Sequence, residues 1–289
     1  MEFINFEGAL ADYDFGHIGT ESFVAMGLAI VLAIILPLIV AIVWCKVKKE
    51  KFTTVLIGAA TFMLFAIVLE KSIQAVVVQM DNPVSRFLNA SPFLLALVLA
   101  LFPGVFEETG RFVAFKTVLR RRKNRETSIS HGIGHGGFEV MFILGLSFSE
   151  YCVYGLMINN GTFGQIAQAT VDAVPMAGIE DQFITIAETI ASIGMGNIWL
   201  SFVERIFAVM FHIGCSMLVF YACKDKKKSW LYPFAIVLHT LVDFLAAGLS
   251  YVGLVTLPIW AAETIMGVAG IGLFLIVYIF LYRMDKCVD

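Results

Sequence analysis

"GVFEETGRFVAF", residues 104–115, sets Glu107, Glu108 and Arg111 into a stretch that otherwise has the composition of a lipid-buried helix. The apolar run around it extends over 92–119. A bilayer core of about 30 Å needs roughly 20 apolar residues per helix. Six further runs meet that length: 22–44, 53–78, 131–157, 198–223, 230–252 and 258–282. With 59% hydrophobic and only 15% charged residues, against about 25% charged in soluble globular chains, a soluble fold is excluded. The expected fold is an all-α integral membrane protein with about seven transmembrane helices. We expect one polytopic domain over 1–289 in the cell membrane, a bacterial plasma membrane by type.

The basic residues orient this bundle. All Lys and Arg except Lys71, Arg86, Arg111 and Arg205 fall at the ends of segments or in alternate loops: "KVKKEK" at 46–51, Lys116 with "RRRKNR" at 120–125, "KDKKK" at 224–228, and the tail with Arg283 and Lys286. The positive-inside rule then puts the N-terminus outside and the C-terminus in the cytoplasm. The intervening segments are acidic or uncharged, and the longest, 158–197, is expected to be an extracytoplasmic loop. Its "DQFITIAETIASIGM", 181–195, carries apolar residues at helical spacing and reads as a candidate interfacial helix. The N-terminal residues Glu2, Glu7, Asp12 and Asp14 lack the basic start of a signal peptide. Cysteines 45, 152, 215, 223 and 287 have no metal-ligand or disulfide-framework spacing and are expected as thiols. The basic loops read as topology determinants; no nucleic-acid partner is implied, and the lipid bilayer is the chain's solvent.

Asp, Lys or Arg at a helix centre costs about 3 kcal/mol on insertion scales, so each ionisable residue inside the segments needs a reason. At about 1.5 Å per residue, Glu107, Glu139, His212 and His239 lie roughly 12–18 Å from the basic ends of four different segments. Structural ion pairs scattered for stability need not share a depth. Spacing adds to this, because residues three or four apart share a helix face: Glu107 and Glu108 with Arg111, His135 with Glu139, and His239 with Asp243. Adjacent carboxylates in a poorly hydrated site do not both ionise readily, and Arg111 can hold one as the anion. Such a pair suits general acid–base work on a peptide bond, with His212 and His239 binding water, stabilising an oxyanion or ligating a metal. "HGIGH", 131–135, lacks the glutamate of an HExxH zinc motif, and glycines 132, 134, 136 and 137 argue close helix packing instead. Glu70 with Lys71, and Glu204 with Arg205, are sequence neighbours whose side chains should diverge and pair with other helices.

Read in order, "FEETGR", "GIGHGGFE", "FHIGCS" and "HTLVD" resemble the YhfC-like branch of a membrane protease superfamily. That superfamily includes the type II CAAX prenyl endopeptidases, bacteriocin-processing and self-immunity proteins, and PrsW. The resemblance covers roughly 95–245, the expected core bundle of the third to sixth segments. It implies a hydrolase in which Glu107 or Glu108 activates water, with Arg111 orienting the pair. It further implies His212, His239 and Asp243 at the site, with His135 and Glu139 at its margin. Glu108, His212, His239 and Asp243 are the candidate metal ligands, for zinc or for no metal at all, because relatives have been called both metalloproteases and glutamate proteases. Ala208 stands where some relatives have Phe, and Asp243 where some have Asn. A membrane protein or peptide is the implied substrate. Two other readings stay open from the residues alone: a non-catalytic scaffold or immunity-type protein, and a proton-coupled transporter using the buried Glu, His and Asp as a relay.

Overall fold

A computed structural model describes Leu10, 13–173, 179–248, 252–255 and 258–285. Glu2, Glu7, Asp12, Lys286 and Cys287 lie outside the described residues. Among the described residues the chain is helical without strands: α1 (Thr20–Lys48), α2 (Phe52–Gln79), α3 (Pro83–Asn89), α4 (Pro92–Lys116), α5 (Glu126–Asn159), α6 (Phe163–Ala173), α7 (Ile179–Ser192), α8 (Met195–Lys224), α9 (Leu231–Asp243) and α10 (Ile259–Val277). Among the described residues, seven helices are long and apolar enough to cross a membrane. They are α1, α2, α4, α5 and α8, with α9 and α10 counted with their extensions as Lys226–Ala246 and Trp260–Tyr282. The all-helical, seven-span membrane fold read from the sequence is therefore the fold observed.

Local signals explain the boundaries. Lys49 adopts φ 54°, a left-handed residue that ends α1, and Glu50 N–H donates to the Cys45 carbonyl at 3.0 Å. Asn82 caps α3 by accepting from the backbone of Val84 and Ser85, while Ser85 Oγ accepts the Asn82 N–H in return. Ser91 and Pro92 start α4, a capping residue followed by a helix-ready proline.

Two compact units are formed, one from 1–34 with 141–202 and one from 35–140 with 203–289. In the first, Asn159 clamps the backbone of Ile18, accepting its N–H at 2.8 Å and donating to its carbonyl at 2.9 Å. Phe163, Ala187 and Ile190 are buried beside Ile18 and join α6 and α7 to that clamp.

The second unit has an inverted polarity. Large apolar side chains such as Leu56, Leu97, Val237 and Phe280 point outward, while Glu107, Glu108, Arg111, His135, His212 and His239 are buried. Water would not tolerate so continuous an apolar surface, whereas lipid requires it. From Ala208 to Ala222 α8 is buried on nearly every side, so it is the central helix of this unit. The glycines of "HGIGHGG" let its neighbours approach. A Cβ on Gly134 would overlap the Val55 carbonyl of α2, one on Gly132 would meet the Ile213 backbone of α8, and one on Gly136 would sit 3.1 Å from Val209 and His212. Contact at backbone distance is what small residues give membrane helices. It brings α5 and α8 close enough for His135 and His212 to share a site.

The basic loops gather at one end of this unit. Arg122 bonds Thr53 and Thr54 at the start of α2, and Asn124 bonds Glu50 in the turn before it. Arg125 donates to the carbonyls of Tyr282 and Asp285, and Lys224 pairs with Asp285.

Candidate active site

Glu107, Glu108 and Arg111 occupy adjacent turns of α4, and Arg111 is fully buried. Its fork reaches both acids: Nη1 donates to Glu108 Oε1 at 2.6 Å and Nη2 to Glu107 Oε2 at 3.4 Å. Nη2 also lies 2.7 Å from His212 Nδ1 on α8. A guanidinium has hydrogens and no lone pair to offer. His212 Nδ1 must therefore carry the lone pair, which puts the ring hydrogen on Nε2, and Nε2 lies directly against Glu139 Oε2. Glu139 is held in turn by Arg205, whose Nη1 donates to Oε1 at 2.8 Å, and Arg205 is chelated by Glu204.

Two other histidines complete the cluster. His135 Nε2 is 2.9 Å from Glu107 Oε2, its ring edge-on to Phe62. On α9, His239 Nδ1 donates to Glu108 Oε1 at 2.8 Å, and its Nε2 stands 3.5 Å from Asp243 Oδ2. Glu108 Oε1 thus receives two donors, while Oε2, equally buried, has none. His135 Nδ1 and Arg111 Nε are also buried without partners. A buried polar atom left unpaired by the protein is costly, so Glu108 Oε2 and His135 Nδ1 are the atoms of the cluster with capacity for a further polar partner.

Donor atoms fall into two buried sets, each within 4.8 Å of one another: Glu107, His135 and His212, and separately Glu108, Cys215 and His239. The first has the composition of a catalytic zinc site, two imidazole nitrogens and one carboxylate. His212 further has the tautomer expected of a ligand, an unprotonated Nδ1 toward the set and its other nitrogen against a carboxylate. Charge agrees as well. Among the described residues, Glu107, Glu108, Glu139 and Glu204 share the two guanidiniums of Arg111 and Arg205, and Asp243 faces His239, so the cluster suits an additional cation or bound protons. The residues therefore fit a divalent ion of the zinc type. Arg111 Nη2 draws on the same lone pairs and competes for them.

The residues singled out in the sequence thus come together, in a different grouping. Glu108, His212, His239 and Asp243, read as one ligand set, are divided: His212 joins Glu107 and His135, Glu108 and His239 join Cys215, and Asp243 belongs to neither. His135 and Glu139, read as marginal, each contact a central residue. Cys215 and Arg205 were missed as members. Both stand on the His212 face of α8, at i+3 and i−7, which is the signal that could have found them. Glu70 with Lys71 and Glu204 with Arg205 correct an expectation: each pair bonds within itself, Lys71 Nζ reaching Glu70 Oε1 at 2.8 Å. Long side chains bend back across one residue when the alternative is lipid, and Arg205 still has a nitrogen free for Glu139.

A bundle of lipid-length helices around a buried cluster of glutamates, histidines and arginines defines a polytopic membrane protein with ionisable groups inside its spans. Residues 30–266 match the model of the family described as YhfC intramembrane metalloprotease. The chain belongs to that family. It is 32% identical over 227 residues to a protein of Bacillus subtilis (strain 168) named uncharacterized membrane protein YhfC, an alignment covering 78% of this chain and 84% of that protein. No solved structure matches the chain.

Proposed function

We propose that the chain is an intramembrane peptidase in which Glu107, His135 and His212 hold a divalent metal ion and Glu108 moves the proton. The observation that carries this reading is His212, with its unprotonated Nδ1 3.6 Å from Glu107 and its opposite nitrogen against Glu139. A zinc-type ion at the three donors supplies Lewis acidity toward a water or a peptide carbonyl. Glu108 Oε2, buried and unpartnered, accepts the proton of the attacking water and returns it to the leaving amine. His239 aims Glu108 through its Nδ1–H and is steadied by Asp243. Arg111 keeps Glu107 and Glu108 apart in role, one nitrogen on each. Glu139 fixes the tautomer of His212, and Arg205 fixes Glu139. The substrate class is a membrane-embedded or membrane-bound peptide. We also propose that the basic end of the larger unit faces the cytoplasm.

A metal-free variant of this mechanism has one observation in its favour, Arg111 Nη2 at 2.7 Å from His212 Nδ1, a cation already on the donor set. Two measurements test the proposal. The first is metal content by mass spectrometry of the full chain in lipid nanodiscs. The second is cleavage of single-span peptides bearing a fluorophore and quencher in proteoliposomes. Glu107→Gln should lose both metal and cleavage, and Glu108→Gln should keep the metal and lose cleavage. Wild-type cleavage by both variants would refute the peptidase assignment. Cleavage by a chain that holds no metal would leave the glutamate mechanism and remove the metal.

A further inference from the structure

Away from this cluster, a cavity of about 130 Å³ opens at the basic end of the larger unit, between the end of α4, the turn after it and the end of α8. Its floor is Phe115, Leu119 and Phe220, all buried, with the two phenylalanine rings edge to face at 5.4 Å. Its rim is Arg120, Arg122, Lys123 and Lys224. Among the described residues, Lys224 is the one of these cations with an acidic partner, Asp285. Arg122 is fixed by the hydroxyls of Thr53 and Thr54, and Thr54 passes its own hydrogen on to Glu50, so the arm is held without a direct ion pair among the described residues. Arg120 and Lys123 are exposed, and their side chains have no hydrogen bond or ion pair among the described residues. The cavity therefore combines a rigid apolar floor with an excess of positive charge at the ends of two membrane-length helices, Lys116 and Lys224 being their last residues.

We propose that this cavity binds a phosphate-bearing anion, supplied by the headgroup of an anionic phospholipid. Cations at the headgroup level attract anionic lipid, and basic pockets between helix ends hold phosphate groups. The aromatic floor adds contact for the glycerol and first acyl carbons, which inorganic phosphate alone lacks. This inference is independent of the peptidase reading, since none of its residues belongs to the buried cluster.

The test is native mass spectrometry of the full chain in detergent. It is titrated with dioleoylphosphatidylglycerol, with dioleoylphosphatidylcholine, and with inorganic phosphate. One phosphatidylglycerol should bind at roughly tenfold lower concentration than phosphatidylcholine. At about a kilocalorie per surface charge, the double variant Arg120→Gln with Lys123→Gln should weaken that binding roughly thirtyfold. A control pair outside the cavity, Lys48→Gln with Lys49→Gln, should leave it unchanged. Inorganic phosphate that saturates one site and blocks phosphatidylglycerol in the parent, but not in the cavity variant, would support the same site with a free-phosphate source. Equal binding of the two lipids without phosphate binding, or equal loss in both double variants, overturns the proposal. The substituted side chains are exposed, so a thermal melt should confirm that both variants fold.

Discussion

Glu139→Gln is the substitution that tests the proposed role of His212 most directly. Glu139 uses both oxygens, Oε1 accepting from Arg205 Nη1 at 2.8 Å and Oε2 facing His212 Nε2. A glutamine has one oxygen and one NH₂ to offer in their place. If its oxygen stays with Arg205, the NH₂ confronts the Nε2–H of His212 and drives the ring hydrogen to Nδ1. There the hydrogen opposes Arg111 Nη2, 2.7 Å away, and removes the lone pair a metal would use. If the oxygen stays with His212, the NH₂ opposes Arg205, which loses a charge-assisted bond worth about 1.5–3 kcal/mol. Glu204 still chelates Arg205, so the second arrangement is the cheaper, and the tautomer is then held by a neutral amide oxygen in place of a carboxylate. Loss of such an outer partner lowers metal affinity by about 10–100-fold, or roughly 1.4–2.7 kcal/mol. Zinc affinity measured by chelator competition on the full chain in nanodiscs should fall by that factor. In Glu204→Gln, which leaves Glu139 and His212 in contact, it should fall much less. Unchanged affinity in Glu139→Gln, or an equal fall in both variants, would refute the outer-partner argument.

Arg111→Lys should reduce peptide cleavage by more than about 100-fold, because a single ammonium cannot bridge Glu108, Glu107 and His212 as the fork does; proteoliposome cleavage rates check this. Gly134→Ala should destabilise the chain by about 1–3 kcal/mol, since its methyl would overlap the Val55 carbonyl. Gly145→Ala, whose Cβ would meet nothing within 4 Å, should be neutral in the same thermal-unfolding measurement. Cysteine probes placed at Lys123 and Lys227 should both react with an impermeant maleimide only after the cytoplasmic face is opened, and one at Asn160 should react before; any other pattern contradicts the positive-inside orientation.

The spans were legible because the bilayer imposes a length, so α2, read as 53–78, is observed as Phe52–Gln79. The sixth segment, read to 252, counts as a span to Ala246, where the chain has already left the α-helical hydrogen-bond pattern after Asp243. Within the site, i,i+3 and i,i+4 spacing foretold the grip of Arg111 on Glu107 and Glu108, which is local geometry. Which glutamate meets which histidine depends on how each helix is rotated about its axis. That rotation is set by contacts such as Gly132 on Ile213 and Gly104 on Thr240. Sequence spacing therefore gave His135 and Glu139 one face of α5 but could not tell that Glu107 would take the first and His212 the second.

The same rotation explains why two adjacent carboxylates have different surroundings, on which their separate proposed roles rest. Successive residues on a helix point about 100° apart, so Glu107 is turned toward α5 and α8, and Glu108 toward α9. Arg111, three and four residues on, is the one side chain on α4 that can reach both. Glu107 is then surrounded by imidazole nitrogens, which favour a shared cation. Glu108 receives N–H donors on one oxygen and nothing on the other, which leaves one lone pair for a proton. A single glutamate in this position could serve one of those roles, and insertion into lipid would then cost about 3 kcal/mol less. The second acid is explicable if holding a cation and moving a proton are separate tasks, performed at the same depth by neighbouring residues.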